Sequence, residues 1–171
     1  MRPFEDADFK ELYEIHSDEE TVRYHIHEVW TPENAKKAFK QRTGNKTLTP
    51  ESYLNLAVVL DGVVIGDLGA TFIGMKETVE IAYTFNKKYQ GSGYASEAVR
   101  ALIDYIFSHF KVHRIVANID VRNEASSRLC ERVGMRKEAH FIQDFWVKGE
   151  WTDSYIYAVL ANEFEKEREL K

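Results

Sequence analysis

The segment that most restricts this chain is Tyr89-Gln90-Gly91-Ser92-Gly93-Tyr94-Ala95, two glycines set between a strand-like run and a helix-like one. Before it, "VEIAYTF" (79–85) is rich in β-branched and aromatic residues and predicts a strand. After it, Ala98, Val99, Leu102, Ile103, Ile106, Phe107 and Phe110 recur at three and four, which predicts the longest amphipathic helix of the chain. The first turn of such a helix leaves backbone N–H groups unpaired and carries the positive end of the macrodipole. Glycines let that turn approach a ligand without a Cβ in the way. The combination makes a cradle for a phosphate or pyrophosphate, although a plain tight turn satisfies the same spacing. It lacks the Gly-Lys-Ser/Thr ending of a Walker loop and the third glycine of a dinucleotide fingerprint.

The rest of the chain sets the fold class. Residues 6–16 predict a short first helix, followed by a helical turn through Val22 and Tyr24. Thr31-Pro32-Glu33 predicts a second helix, capped by Thr31 and running to Gly44-Asn45. Two strand-like runs, 52–60 and 63–73, flank Asp61-Gly62, a two-residue hairpin turn. A strand over 114–121 and a helix over 123–134, stopped by Gly134, follow the glycine segment. Strands at about 138–147 and 152–160 are joined by Lys148-Gly149-Glu150-Trp151, and the charged tail 162–171 reads as helical or frayed. The expected fold is α/β of the mixed, α+β kind: a mostly antiparallel sheet with at least one crossover, flanked by helices, in one domain over 1–171.

Composition narrows function by exclusion. The 171 residues, 44% hydrophobic and 30% charged, suit a single well-buried core. A net charge of -5 argues against a nucleic-acid partner. No apolar run reaches membrane-spanning length, and the charged start Met1-Arg2-Pro3-Phe4-Glu5-Asp6 is unlike a signal peptide or anchor. A lone Cys130 makes no internal disulfide and suits a reducing compartment, so a cytoplasmic protein with no membrane partner is expected.

Gln90-Gly91-Ser92-Gly93-Tyr94-Ala95 resembles the Arg/Gln-x-x-Gly-x-Gly/Ala signature of the GCN5-related N-acetyltransferases, the GNAT superfamily. Asn123-x-x-Ser126 followed by Glu131-Arg132-Val133-Gly134-Met135 is similar to the segment that comes next in that family. The opening, from Arg2 to Tyr24, and the closing Gly149 to Ala158 resemble its RimJ/RimL branch, the ribosomal-protein alanine acetyltransferase type. The resemblance implies a sheet splayed between 79–85 and 114–121, with a first strand clipped or absent. It implies acetyl-CoA as cosubstrate and an amine acceptor, either a protein N-terminus or a small amine. Backbone amides of Tyr83, Thr84 and Phe85 would pair with the pantetheine arm. Those of Gln90, Gly91, Ser92, Gly93, Tyr94 and Ala95 would hold the pyrophosphate.

Direct attack by an amine requires a base, because an alkylammonium is not nucleophilic until it loses a proton. Glu80 is the candidate: strand alternation sets Glu80, Ala82 and Thr84 on one face and Ile81, Tyr83 and Phe85 on the other. Asp67, His25 and His27 are rivals, and a solvated edge glutamate is the bland alternative. Asn123 and Ser126, at the start of their helix, are candidates to support both the cofactor and the departing thiolate, a role compatible with Asn123 as an ordinary N-cap. Many family members carry a tyrosine on this helix where Cys130 stands, which leaves open which group serves as general acid. Met135 replaces a usual phenylalanine, and Ala82 a common glycine, which would narrow the acetyl slot.

The acceptor is expected against 22–32 and 141–153, with His25, Glu28, Trp30 and Trp146 as binding candidates. Aromatics there suit a pocket, core packing or a homodimer contact equally. His25-Ile26-His27 has no third ligand in register, so no metal is expected. A competing class is a catalytically silent acyl-CoA-binding module on the same fold.

Overall fold

The structure, a computed structural model, describes residues 1–169; the last two residues of the expected charged tail lie outside them. Seven strands form one sheet in the order β1-β2-β3-β4-β5-β7-β6. They are β1 (Lys46–Thr49), β2 (Ser52–Leu60), β3 (Val63–Phe72), β4 (Thr78–Phe85), β5 (Arg114–Asp120), β6 (Arg136–Val147) and β7 (Glu150–Leu160). Only β4 and β5 run parallel, because the long helix α3 (Tyr94–His109) crosses between them. The remaining helices are α1 (Phe9–His16), α2 (Ala35–Gly44), α4 (Glu124–Arg132) and α5 (Ala161–Glu169).

Both faces of the sheet are covered. On one face the apolar stripe of α3, with Leu102, Ile103 and Ile106, packs with Leu68, Ile81, Ile115, Tyr157 and Phe164. On the other, Leu12 and Ile15 of α1 pack with Phe39 of α2, Trp30 and Val64. Val64 and Ile65 point into different cores, as neighbours on a strand do, and the β2–β3 register shifts beside them, between Val58 and Val59. This bulge rotates the end of β3 without breaking the ladder.

Residues 19–24 form successive turns, with the Val22 amide closing a helical turn on the Asp18 carbonyl at 3.2 Å, and the chain bends over 25–27 without extending that turn into a helix. Three sequence expectations change. The second helix begins at Ala35, with Asn34 as its N-cap residue, because the Asn34 side chain instead accepts from the Thr31 amide at 2.9 Å and folds 31–34 into a turn. Strand β1 has no sequence signature, since Leu48 is its one buried residue. The last hairpin is tighter than expected: Lys148 (φ 50°) and Gly149 (φ 83°) both occupy the left-handed region, giving a two-residue turn. At the amino end Arg2 makes an isolated antiparallel bridge to Ala57.

Candidate active site

The sheet splits where the parallel strands meet. β4 and β5 pair only over Thr78–Arg114, Val79–Ile115 and Glu80–Val116, after which β5 pairs with β7 alone. β4 stays paired with β3 through Phe85, so its other edge is open beyond Glu80. An open edge presents unpaired N–H and C=O groups to whatever enters the gap.

A cleft of about 450 Å3 passes through this split. From the α1 face it is lined by Asp67, Gly69, Glu80, Ala82 and Thr84, and from the α4 face by Ile81, Tyr83, Asn123 and Ser126. Register explains the first set. Asp67 faces Thr84, Gly69 faces Ala82 and Thr71 faces Glu80, and residues directly opposite in an antiparallel pair share a face. Gly69 gives back beside Ala82 the room that the alanine takes.

Burial raises the Glu80 carboxyl above its ordinary value. Asp67 is in a different state. Burial would raise it, but His16 and Arg42 outweigh that and hold it well below the usual carboxylate range. His16 Nε2 lies 3.1 Å from one carboxylate oxygen, and Arg42 Nε donates to the other at 3.4 Å. A carboxylate so engaged is a poor proton acceptor, so the geometry favours Glu80 over Asp67 as base. His25 lines the cleft with its pKa pushed down to about 4 by burial and by His27.

On the α4 face the Asn123 side chain accepts from the Ser126 amide at 3.1 Å, an N-cap that fixes the start of α4. The Tyr83 hydroxyl donates to the Ser126 carbonyl at 3.3 Å and lies 3.3 Å from Cys130 Sγ. Burial and the neighbouring Cys130 raise the phenol strongly, and burial pushes the Cys130 thiol up to about 11, so both keep their protons at neutral pH. The phenol beside Cys130 is therefore supplied across the gap by β4. Sequence reasoning gave Tyr83 only a backbone role.

The glycine segment stands outside the cleft lining, at the N-terminus of α3. Gly91 (φ 79°) and Gly93 (φ 84°) take left-handed backbone, and a Cβ at either would meet nothing within 4 Å. No side chain caps α3, which leaves its first-turn amides without a side-chain acceptor. Arg132 Nε donates to Ser96 Oγ at 3.1 Å, placing a guanidinium beside that turn. Positive φ, open amides and a nearby cation fit the pyrophosphate of a CoA ester.

The acceptor-side candidates separate. His25 lines the cleft, as do Tyr24, His27 and Phe145. Trp30 is buried, stacked on His16 at 4.7 Å with Arg42 over its ring at 5.0 Å. Glu28 is exposed away from the cleft, and Trp146 packs edge-to-face on Trp151 at the surface. Lys148 Nζ donates to the carbonyls of Val22 (2.7 Å) and Arg23 (3.3 Å), which ties the tip of the last hairpin to the loop bearing the histidines. Among the described residues no group of three or more His, Cys, Asp or Glu is arranged to hold a metal ion, and no helix is long and apolar enough to cross a membrane.

A model of the acetyltransferase (GNAT) domain matches residues 1–136. An uncharacterized N-acetyltransferase of Bacillus subtilis (strain 168), YnaD, is 34% identical over 166 residues, covering 96% of this chain and 94% of the relative. The crystal structure of an acetyltransferase (GNAT family) from Bacillus anthracis superposes with a TM-score of 0.85 at 33% identity, covering 94% of this chain and 93% of that one. Spermidine N-acetyltransferase from Vibrio cholerae, solved with CoA and spermine, shares the fold with a TM-score of 0.80 at 17% identity and 96% coverage of both chains.

Proposed function

The chain belongs to the GNAT family of acetyltransferases, and from that premise we propose that it moves an acetyl group from acetyl-CoA to a primary amine by direct attack. The observation that carries this reading is the cleft running through the split sheet, with Glu80 on one wall and Tyr83, Asn123 and Ser126 on the other. CoA bound in the Vibrio cholerae structure supports the choice of cosubstrate. The opening and closing segments, similar to the RimJ/RimL branch, keep a protein N-terminal amine beside small amines as acceptor.

Acetyl-CoA supplies a thioester carbonyl as the electrophile. The amides of Gly91 to Ala95, at the uncapped start of α3, would take its pyrophosphate, since that of Gln90 already donates to the Lys87 carbonyl, and the open edge of β4 at Tyr83 to Phe85 would pair with its pantetheine arm. Glu80 removes the proton that the acceptor ammonium must lose, a task its burial favours by raising its basicity. Unpaired amides beyond Glu80 stabilise the charge that gathers on the carbonyl oxygen as the C–N bond forms. The Tyr83 hydroxyl would turn its one O–H from the Ser126 carbonyl to the sulfur as the C–S bond breaks.

The test is release of free thiol from acetyl-CoA in the presence of a panel of primary amines, for wild type and Glu80→Gln. The variant is expected to lose about 100-fold in kcat while binding acetyl-CoA as before. An unchanged kcat removes Glu80 as the base. Acetyl-CoA binding with transfer to no amine selects the silent binding module instead.

A further inference from the structure

Asp67, on the wall of the cleft, has its charge met twice. The fully buried His16 places Nε2 3.1 Å from one carboxylate oxygen, and Arg42 of α2 donates through Nε to the other at 3.4 Å. His16 lowers the pKa of Asp67 and also those of His25 and His27, as a positive ring charge does to a carboxyl and an imidazole alike. Two cations therefore face one carboxylate, and one positive charge is left over. The buried His16 cannot present that charge to the cleft. Arg42 can, because it lines the cleft with 20% of its side chain exposed.

Only Nε of Arg42 is used on Asp67. Its two terminal amino groups make no hydrogen bond to any described residue. The guanidinium lies over the Trp30 ring at 5.0 Å, which holds it in place. Among the described residues it is the one lysine or arginine that lines the cleft, and burial keeps His25 and His27 of the same lining uncharged. The other acidic groups there offer little to a second cation. Asp120 is held by Arg122 at 2.7 Å, and Glu80 is kept for the attacking amine. A fixed guanidinium with both terminal amino groups open suits a carboxylate, which accepts two parallel hydrogen bonds.

The ladder sets how far that carboxylate stands from the reacting amine. Asp67 and Thr71 are on one face of β3, about 13 Å apart at about 3.3 Å per residue, and Glu80 pairs with Thr71. Less the reach of the two side chains, the span is on the order of 10 Å, about three residues of extended chain. An α-amino acid is too short for it.

We propose that the terminal amino groups of Arg42 bind a carboxylate of the acceptor about 10 Å from the amine that is acetylated, so that the preferred acceptors are short peptides and other amines bearing a distant carboxylate. The term acceptor rests on the acetyltransferase reading; the anion subsite rests on Arg42 and its surroundings.

Two measurements with defined probes separate the subsite from the activity. In the first, kcat/KM is compared for triglycine and triglycinamide in wild type and Arg42→Gln. Glutamine keeps a nitrogen donor at the Nε position, for Asp67, and removes the charge and both terminal groups. The wild type is expected to favour triglycine about 30-fold, through KM, and the variant to favour neither. Gly-Gly-Asp-amide against Gly-Gly-Asn-amide repeats the comparison with the carboxylate on a side chain, which tells an acidic residue of a longer chain from a free chain end. In the second, 15N signals of the Arg42 guanidinium, assigned through their contact with the Trp30 ring, are followed in the wild-type protein without acetyl-CoA. Triglycine should shift them, and triglycinamide should not. Shifts without turnover of any amine would uphold the subsite and sink the acetyltransferase reading. Equal turnover of acid and amide, a preference that survives in Arg42→Gln, or turnover without shifts would overturn the subsite alone.

Discussion

At the scale of single residues, the contact between Tyr83 and Cys130 joins β4 to α4 across the split in the sheet. The Tyr83 hydroxyl lies 3.3 Å from the Cys130 sulfur, at the place where the resemblance leads one to expect a tyrosine. If that hydroxyl supports the departing thiolate, Tyr83→Phe should lower kcat by about tenfold, the value of one hydrogen bond to a charged group, with acetyl-CoA binding unchanged. The loss should shrink for a thioester whose thiol is more acidic, because a better leaving group needs less stabilisation. An equal loss with both thioesters would reduce Tyr83 to packing. The alternation of β4 was legible and put Tyr83 on the face opposite Glu80. Its partner was not, because Tyr83 and Cys130 lie 47 positions apart and meet only through the crossover. The same holds for His16, whose partner Asp67 is 51 positions away.

At the scale of elements, the paired edge of β4 depends on Gly66 in β3. A Cβ there would sit 2.5 Å from Phe85 Cδ1 and 2.6 Å from the Thr84 carbonyl oxygen, closer than either can yield without moving β4. Gly66→Ala is therefore expected to destabilise by about 1–3 kcal/mol, read as a lower urea midpoint. Gly69→Ala, whose nearest contacts would be an ordinary 3.7–3.9 Å, should stay near wild type. Equal midpoints for the two variants would contradict the account of the β3–β4 ladder. The strong hairpin at Asp61-Gly62 and the glycine segment before α3 could be read in advance, because positive-φ turns demand glycine and its neighbours. Strand β1 could not, since a short polar edge strand is set by its partner more than by its own residues.

For the whole molecule, the buried histidine cluster ties stability to pH. Burial and His27 lower His25 to about 4, whereas an unfolded histidine titrates near 6.5. Between these values the unfolded chain holds more protons, so stability falls as pH drops from about 6.5 to about 4, by at most about 3 kcal/mol. Asp67, held low by its partners against burial, adds a further loss at still lower pH. Glu80 acts in the opposite sense, because its raised carboxyl loses stability as pH rises through its folded value. Urea midpoints should accordingly decline from pH 7 to pH 5, and His25→Gln should flatten that slope. A slope unchanged in the variant would show that His25 is not the group responsible.

The central claim is that the start of α3 and the split in the sheet together form a site for acetyl-CoA. Calorimetric titration of acetyl-CoA into the wild-type protein and into Gly93→Val tests it most directly, with ATP and NAD as controls and circular dichroism to verify folding of the variant. Gly93 sits at φ 84°, which a β-branched residue resists, and the new side chain would stand at the uncapped start of α3. Selective micromolar binding of acetyl-CoA by the wild type, lost in the folded variant, is the expected result. No binding by the folded wild-type protein would contradict the account and leave the two glycines as a turn.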